Sequence, residues 1–99
     1  MKKKTITTQL WDAAAHLETE DDMALYLEAA LEEKDPALIS AVLGDIARAK
    51  GMAQIAEKTG LGRTSLYKAL SPDGHPEFAT ILKVVDALGL ELCVTTVKE

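Results

Sequence analysis

The chain has 99 residues and a net charge of −5, a size that fits one domain and leaves little room for a second. It is 47% hydrophobic and 27% charged, enough for a small core. The lone cysteine, Cys93, excludes an internal disulfide, no apolar run reaches the roughly 18–20 residues of a membrane span, and no apolar stretch follows Lys2–Lys4 to make a secretory signal. The expectation is a single cytoplasmic domain over residues 1–99 with no membrane contact.

Leucine and alanine supply 29 of the 99 residues, and their unbranched side chains favour helix. Residues 1–10 read as a flexible arm. Asp12 is placed to cap a short helix carrying Leu17. Thr19 with Asp22 has the spacing of a capping box and opens a helix running to about Lys34, with Met23, Leu27, Ala30 and Leu31 as its apolar face. Asp35-Pro36 caps the next helix, which presents Leu38, Ile39, Val42, Leu43 and Ile46 and stops at Gly51.

Two short helices follow, 52–59 and about 62–70, separated by Gly60. Ser71-Pro72-Asp73-Gly74 reads as a turn, with proline presetting φ and glycine tolerating positive φ. Pro76 opens a last helix with an apolar stripe of Phe78, Ile81, Leu82, Val85 and Leu88, closed by Gly89. Residues 90–97 alternate loosely and read as a terminal β-strand, whose partner is either Thr5–Thr8 or the same segment of a second subunit. The fold class is therefore mainly α, five or six helices with one short C-terminal strand.

The charge is segregated. Residues 1–45 hold ten acids and four bases, residues 46–70 hold five bases and one acid, and residues 71–99 hold five acids and two bases. A +4 island thus stands in an acidic chain, and at physiological salt fields act over about 8 Å, so the island outweighs the total. Residues 52–70 within it have the logic of a helix-turn-helix. Ala56 is small where the two helices approach, Gly60 tolerates the turn, and Ile55, Leu61, Leu66 and Leu70 are spaced to face the core.

The polar residues left at the outer face are Arg63, Thr64, Ser65 and Lys68, and with Gln54, Gly62 and Tyr67 they make up the candidate DNA-binding set. The start and outer face of a recognition helix are what meet base edges in the major groove. Arg63 has the fork for a bidentate contact to guanine, with Thr64, Ser65 and Lys68 in support. Taken singly, Arg63 and Lys68 are ordinary solvated charges, and Tyr67 fits a packed position as well as a contact. Only the ensemble points to double-stranded operator DNA.

Four stretches carry a family resemblance: 26–31 (Tyr-Leu-Glu-Ala-Ala-Leu), 44–52 (Gly-Asp-Ile-Ala-Arg-Ala-Lys-Gly-Met), 64–72 (Thr-Ser-Leu-Tyr-Lys-Ala-Leu-Ser-Pro) and 76–80 (Pro-Glu-Phe-Ala-Thr). From about Asp12 to Leu92 the chain resembles the small addiction-module antidote proteins, HigA-like antitoxins of bacteria and prophages described as DNA-binding regulators. The resemblance implies a phage-repressor-like helical domain, a homodimer, and a cognate toxin similar to RelE or HigB ribonucleases. The chain departs from it at Gly62, where the family often has a serine able to cap, and at His75, where it often has asparagine. Glycine caps a helix within a few tenths of a kcal/mol of serine, so DNA binding survives the first departure.

No catalytic or metal constellation is legible. His16 and His75 stand 59 positions apart without a ligand-spaced partner, and Cys93 lacks a base and reads as a small packed residue. No cofactor is expected, and the chain reads as no enzyme. The leading expectation is a type II antitoxin that also represses its own operon. A stand-alone prophage-type regulator, or a protein-interaction module with a vestigial helix-turn-helix, remain as alternatives.

Overall fold

The computed structural model describes residues 17–97, which form five helices: α1 (Glu20–Glu32), α2 (Pro36–Lys50), α3 (Met52–Thr59), α4 (Arg63–Ala69) and α5 (Phe78–Ala87). The expected arm, the Asp12-capped helix, Thr5–Thr8 and His16 lie outside the described residues. No helix among the described residues is long and apolar enough to cross a membrane.

Local sequence starts the first two helices. The Asp22 N–H donates to Thr19 Oγ1 at 3.1 Å, and the Thr19 N–H donates to Asp22 Oδ2 at 3.0 Å, closing the capping box. Glu20, Asp21 and Asp22 fill the first turn, where carboxylates oppose the helix dipole. Asp35 Oδ1 accepts from the Ala37 N–H at 3.1 Å ahead of Pro36. Between α1 and α2, Lys34 takes φ +55°.

The helices then pack in sequence, α1 on α2, α2 on α3, and α3 on both α4 and α5. Leu43, Ile46, Ile55, Leu66, Leu70, Val84 and Leu88 are fully buried at the centre. Gly44 lies in the middle of α2, where the carbonyl oxygen of Leu70 comes so close that a Cβ would collide with it. That glycine sets how near the end of α4 can approach α2.

Several expectations are corrected. In α1 the core face is Met23, Tyr26, Leu27 and Ala30, and Leu31 is left outside. Successive residues turn by about 100°, which puts Tyr26 close to the Met23–Ala30 line and Leu31 well round from it. In α5 only the second half of the expected stripe is buried: Val85 and Leu88 are, Ile81 is partly so, and Phe78 and Leu82 are 65% and 46% exposed. Phe78 shares a face with Val85 two turns away, but the core does not extend to the helix start.

The expected strand over residues 90–97 is absent, as is any other strand among the described residues. Leu90 is tied back, its N–H donating to the Val85 carbonyl at 3.1 Å, and residues 91–97 run on exposed. A strand exists only as a ladder, and the described residues offer this segment no partner. Cys93, expected to be packed, is exposed within it.

Candidate nucleic-acid interface

The pair α3–α4 is joined by the three residues 60–62. Gly60 ends α3 in the left-handed region (φ +75°, ψ +10°), and its N–H donates to the Ala56 carbonyl at 3.0 Å. Thr59 braces the corner. Its hydroxyl donates to the Ile55 carbonyl at 2.8 Å and accepts from the Leu61 N–H at 3.3 Å. Ile55, Leu66 and Leu70 are buried and Leu61 is half-buried, holding the pair against the core.

Every residue of the candidate set is exposed. Gly62 precedes α4 in extended conformation and contributes no side-chain cap. Arg63, Thr64 and Ser65 form the first turn of α4, with Tyr67 and Lys68 after them, while Gln54 stands apart in the first turn of α3. Leu66 is the fully buried position of α4, and at about 100° per residue the face opposite it falls on Thr64 and Lys68. Arg63 and Tyr67 flank that outermost line on one side and Ser65 on the other. Thr64 and Lys68 therefore project furthest, with Arg63, Tyr67 and Ser65 on the flanks of the exposed face.

A shallow cleft of about 330 Å³ separates α4 from the turn after it, lined by Ser65, Lys68, Ala69, Asp73 and Gly74. The expected turn at 71–74 is formed, with the Gly74 N–H donating to the Ser71 carbonyl at 3.0 Å and the Ser71 hydroxyl to the Lys68 carbonyl at 2.8 Å. The reason for its glycine is not the expected one. A Cβ on Gly74 would strike the carbonyl oxygens of Lys68 and Ala69, so glycine is needed for close approach, and the positive φ falls instead on His75 (+47°). Histidine, like asparagine and aspartate, is found in that region more often than most side chains.

Charge at the interface differs from the reading in sequence. Arg48 pairs with Asp45, and Lys50 Nζ donates to Glu20 Oε2 at 2.7 Å and to the Leu88 carbonyl at 3.3 Å. Both carboxylates come from outside residues 46–70, so the island's +4 is halved to +2. Lys50 is a structural tie between α1 and the end of α5. Hydrogen bonding and charge from Lys50, with a smaller pull from Lys58, hold the Glu20 carboxyl below its ordinary value. Arg63 and Lys68 are the cations of α4, and neither is in an ion pair among the described residues.

A second polar link fastens α1 to α2. The Tyr26 hydroxyl donates to Asp45 Oδ2 at 2.7 Å, while Asp45 Oδ1 accepts from Arg48. Burial, and then the neighbouring Asp45 carboxylate, push the Tyr26 phenol far above its usual range. Nothing in the sequence signals either link, since the partners lie 19 and 30 positions apart.

Fold and surface together define a small, mainly helical protein that displays a short, polar, mildly basic helix. A family model described as "Probable addiction module antidote protein" matches residues 7–96. A protein of Haemophilus influenzae, described as uncharacterized, is 50% identical over 91 residues, which cover 90% of this chain and 94% of that protein. No solved structure matches the chain. The chain belongs to the addiction-module antidote family, and that membership implies a cognate toxin as its partner.

Proposed function

We propose that the protein is the antitoxin of a type II toxin–antitoxin module, that it neutralises a RelE- or HigB-like toxin, and that it represses its own operon by binding operator DNA through α4. The observation that carries the DNA reading is the α3–turn–α4 pair, apolar beneath and polar outside, with the seven candidates all exposed. Such a pair sets its second helix into the major groove while the first crosses the backbone. Lys68 and Arg63 supply the charge, Thr64 and Ser65 the hydroxyls, Tyr67 and Gln54 flanking contacts, and Gly62 a backbone free of side-chain obstruction. Because the uncompensated charge near α4 is small, affinity rests on few phosphate contacts and its salt dependence is shallow.

The protein acts as a homodimer. Phe78 and Leu82, one turn apart, stand exposed on α5, and Leu92, Val94 and Val97 are exposed in the segment after it, apolar side chains that a second copy would cover. Two-fold pairing brings two α4 helices about 34–36 Å apart to read a palindrome. Its role is binding, not catalysis, in the cytoplasm.

Two experiments test this. Co-expression with the product of the adjacent gene yields a stable complex and rescue from that product's toxicity, and a harmless, non-binding neighbour defeats the antitoxin reading. Arg63→Ala weakens binding to the operator by about 1–3 kcal/mol and relaxes sequence preference. An equal loss on random DNA reduces Arg63 to a phosphate contact, and no affinity for any DNA at low salt defeats the regulator reading.

A further inference from the structure

We infer that the outer face of α1, where Leu25 and Leu31 stand with Asp21, Glu28 and Glu32, is the surface on which this antidote docks its toxin, and that the toxin meets it with a basic surface carrying apolar contacts. The inference rests on the antitoxin reading above and assigns that partner a place on the molecule.

The face has no role within the described chain. Met23, Tyr26, Leu27 and Ala30 take the core side of α1, leaving Leu25 66% and Leu31 39% exposed. At about 100° per residue Asp21, Leu25, Glu28 and Glu32 run down the middle of the outer side, with Leu31 at one margin. Glu20 and Asp22 are engaged in the Lys50 pair and the capping box, whereas Asp21, Glu28 and Glu32 make no ion pair among the described residues.

Charge selects the occupant. Residues 17–45 hold nine acids and one base, Lys34, and after the pairs of Glu20 with Lys50 and Asp45 with Arg48 a net −6 is left. Such a surface repels nucleic acid and an anionic bilayer, and two copies meeting face to face repel each other. It attracts a basic protein, and the two leucines supply the apolar anchors that charge alone lacks. A toxin that acts on RNA is itself a cation-lined protein. The α5 surface, with uncharged Phe78 and Leu82, suits self-association instead. Since α1 packs on α2 and α4 on α3, docking at α1 leaves α4 free to hold DNA.

The test uses the full chain co-expressed with the product of the adjacent gene. Leu25→Ala/Leu31→Ala keeps good helix formers at exposed positions, and Glu28→Lys/Glu32→Lys changes only charge. Each variant is expected to retain the far-UV spectrum and operator affinity and to melt no lower than the wild type, while toxin affinity falls on the order of 10–100-fold. For the wild type, toxin affinity falls as salt rises, and the lysine variant loses that dependence. Wild-type toxin affinity in both variants overturns the inference. Failure of the wild-type chain to bind the adjacent product defeats the antitoxin reading itself, before either variant is measured. Two other occupants are also read out. Trp11 is the sole tryptophan, so a shift of its emission in the free leucine variant would mean that the preceding segment covers this face, and conversion of a dimer to a monomer would mean that a second copy does. Either result overturns the inference.

Discussion

Gly44→Ala separates local from tertiary determinants, because the two act in opposite directions. In a solvent-facing helix the change gains about 1 kcal/mol, as alanine is the best helix former and glycine among the worst. Here the new methyl meets the Leu70 carbonyl oxygen, and Arg48 Nη1 stands 3.4 Å away. The arginine head can swing aside. The carbonyl cannot, being fixed between α4 and the turn at 71–74, so α2 and α4 must move apart. Overpacking costs about 1–3 kcal/mol, and with backbone as the obstacle the cost falls at the upper end, about 2–3 kcal/mol, so it exceeds the propensity gain. Gly44→Ala is therefore destabilising by about 1–2 kcal/mol net, which for a chain of this size lowers Tm by about 4–8 °C per kcal/mol. Guanidinium denaturation reads it as a lower midpoint at unchanged slope. A midpoint equal to or above the wild type would mean that the α2–α4 approach does not constrain the fold. The displacement also carries α4 outward, so operator affinity is expected to fall although no candidate contact residue is changed.

Three further outcomes follow from the geometry. Lys34→Gly removes the cost of a side chain at φ +55° after α1 and is expected to raise stability by about 1 kcal/mol in the same assay; a loss would mean that the lysine stem packs usefully. Tyr26→Phe deletes the donor to Asp45 and is expected to cost about 1–2 kcal/mol, the low side for a bond to a charged acceptor because Asp45 keeps Arg48 and access to water; a neutral result would dismiss the link as a stabilising one. Lys50 lowers the folded-state pKa of Glu20, so the stabilisation from this pair is present above the ordinary value of 4.5 and is lost as the pH falls through the lowered one. NMR titration of the Glu20 carboxyl shows a midpoint below 4.5 that rises in Lys50→Met, and an unmoved midpoint would remove Lys50 as the cause.

The starts of the first two helices, the turn into α4 and the buried side of the α3–α4 pair were legible because each depends on residues within about one turn of each other, whereas the last helix begins at Phe78 and not at Pro76. Thr19 with Asp22, Asp35 with Pro36, and Gly60 after α3 are of this kind. So is the polar face of α4, where Arg63 to Lys68 emerge exposed because Leu66 and Leu70 are spaced to be buried. Family membership was legible for the same reason, being carried by contiguous runs of sequence.

What the sequence by itself determined is thus the order and approximate extent of the five helices and the identity of the polar helix on display. Only the tertiary structure decided how charge and apolar area are shared out. It consumed Arg48 and Lys50 in pairs with Asp45 and Glu20, halving the basic island. It put Tyr26 into the core in place of Leu31, left Phe78 and Leu82 outside, and denied residues 90–97 the ladder a strand needs. It also gave Gly44 and Gly74 their reason, the nearness of carbonyls at the end of α4. The physical cause is common to all of these. A helix is specified by bonds to its own fourth neighbour, whereas an ion pair, a buried face or a close approach depends on which distant element the fold sets opposite it.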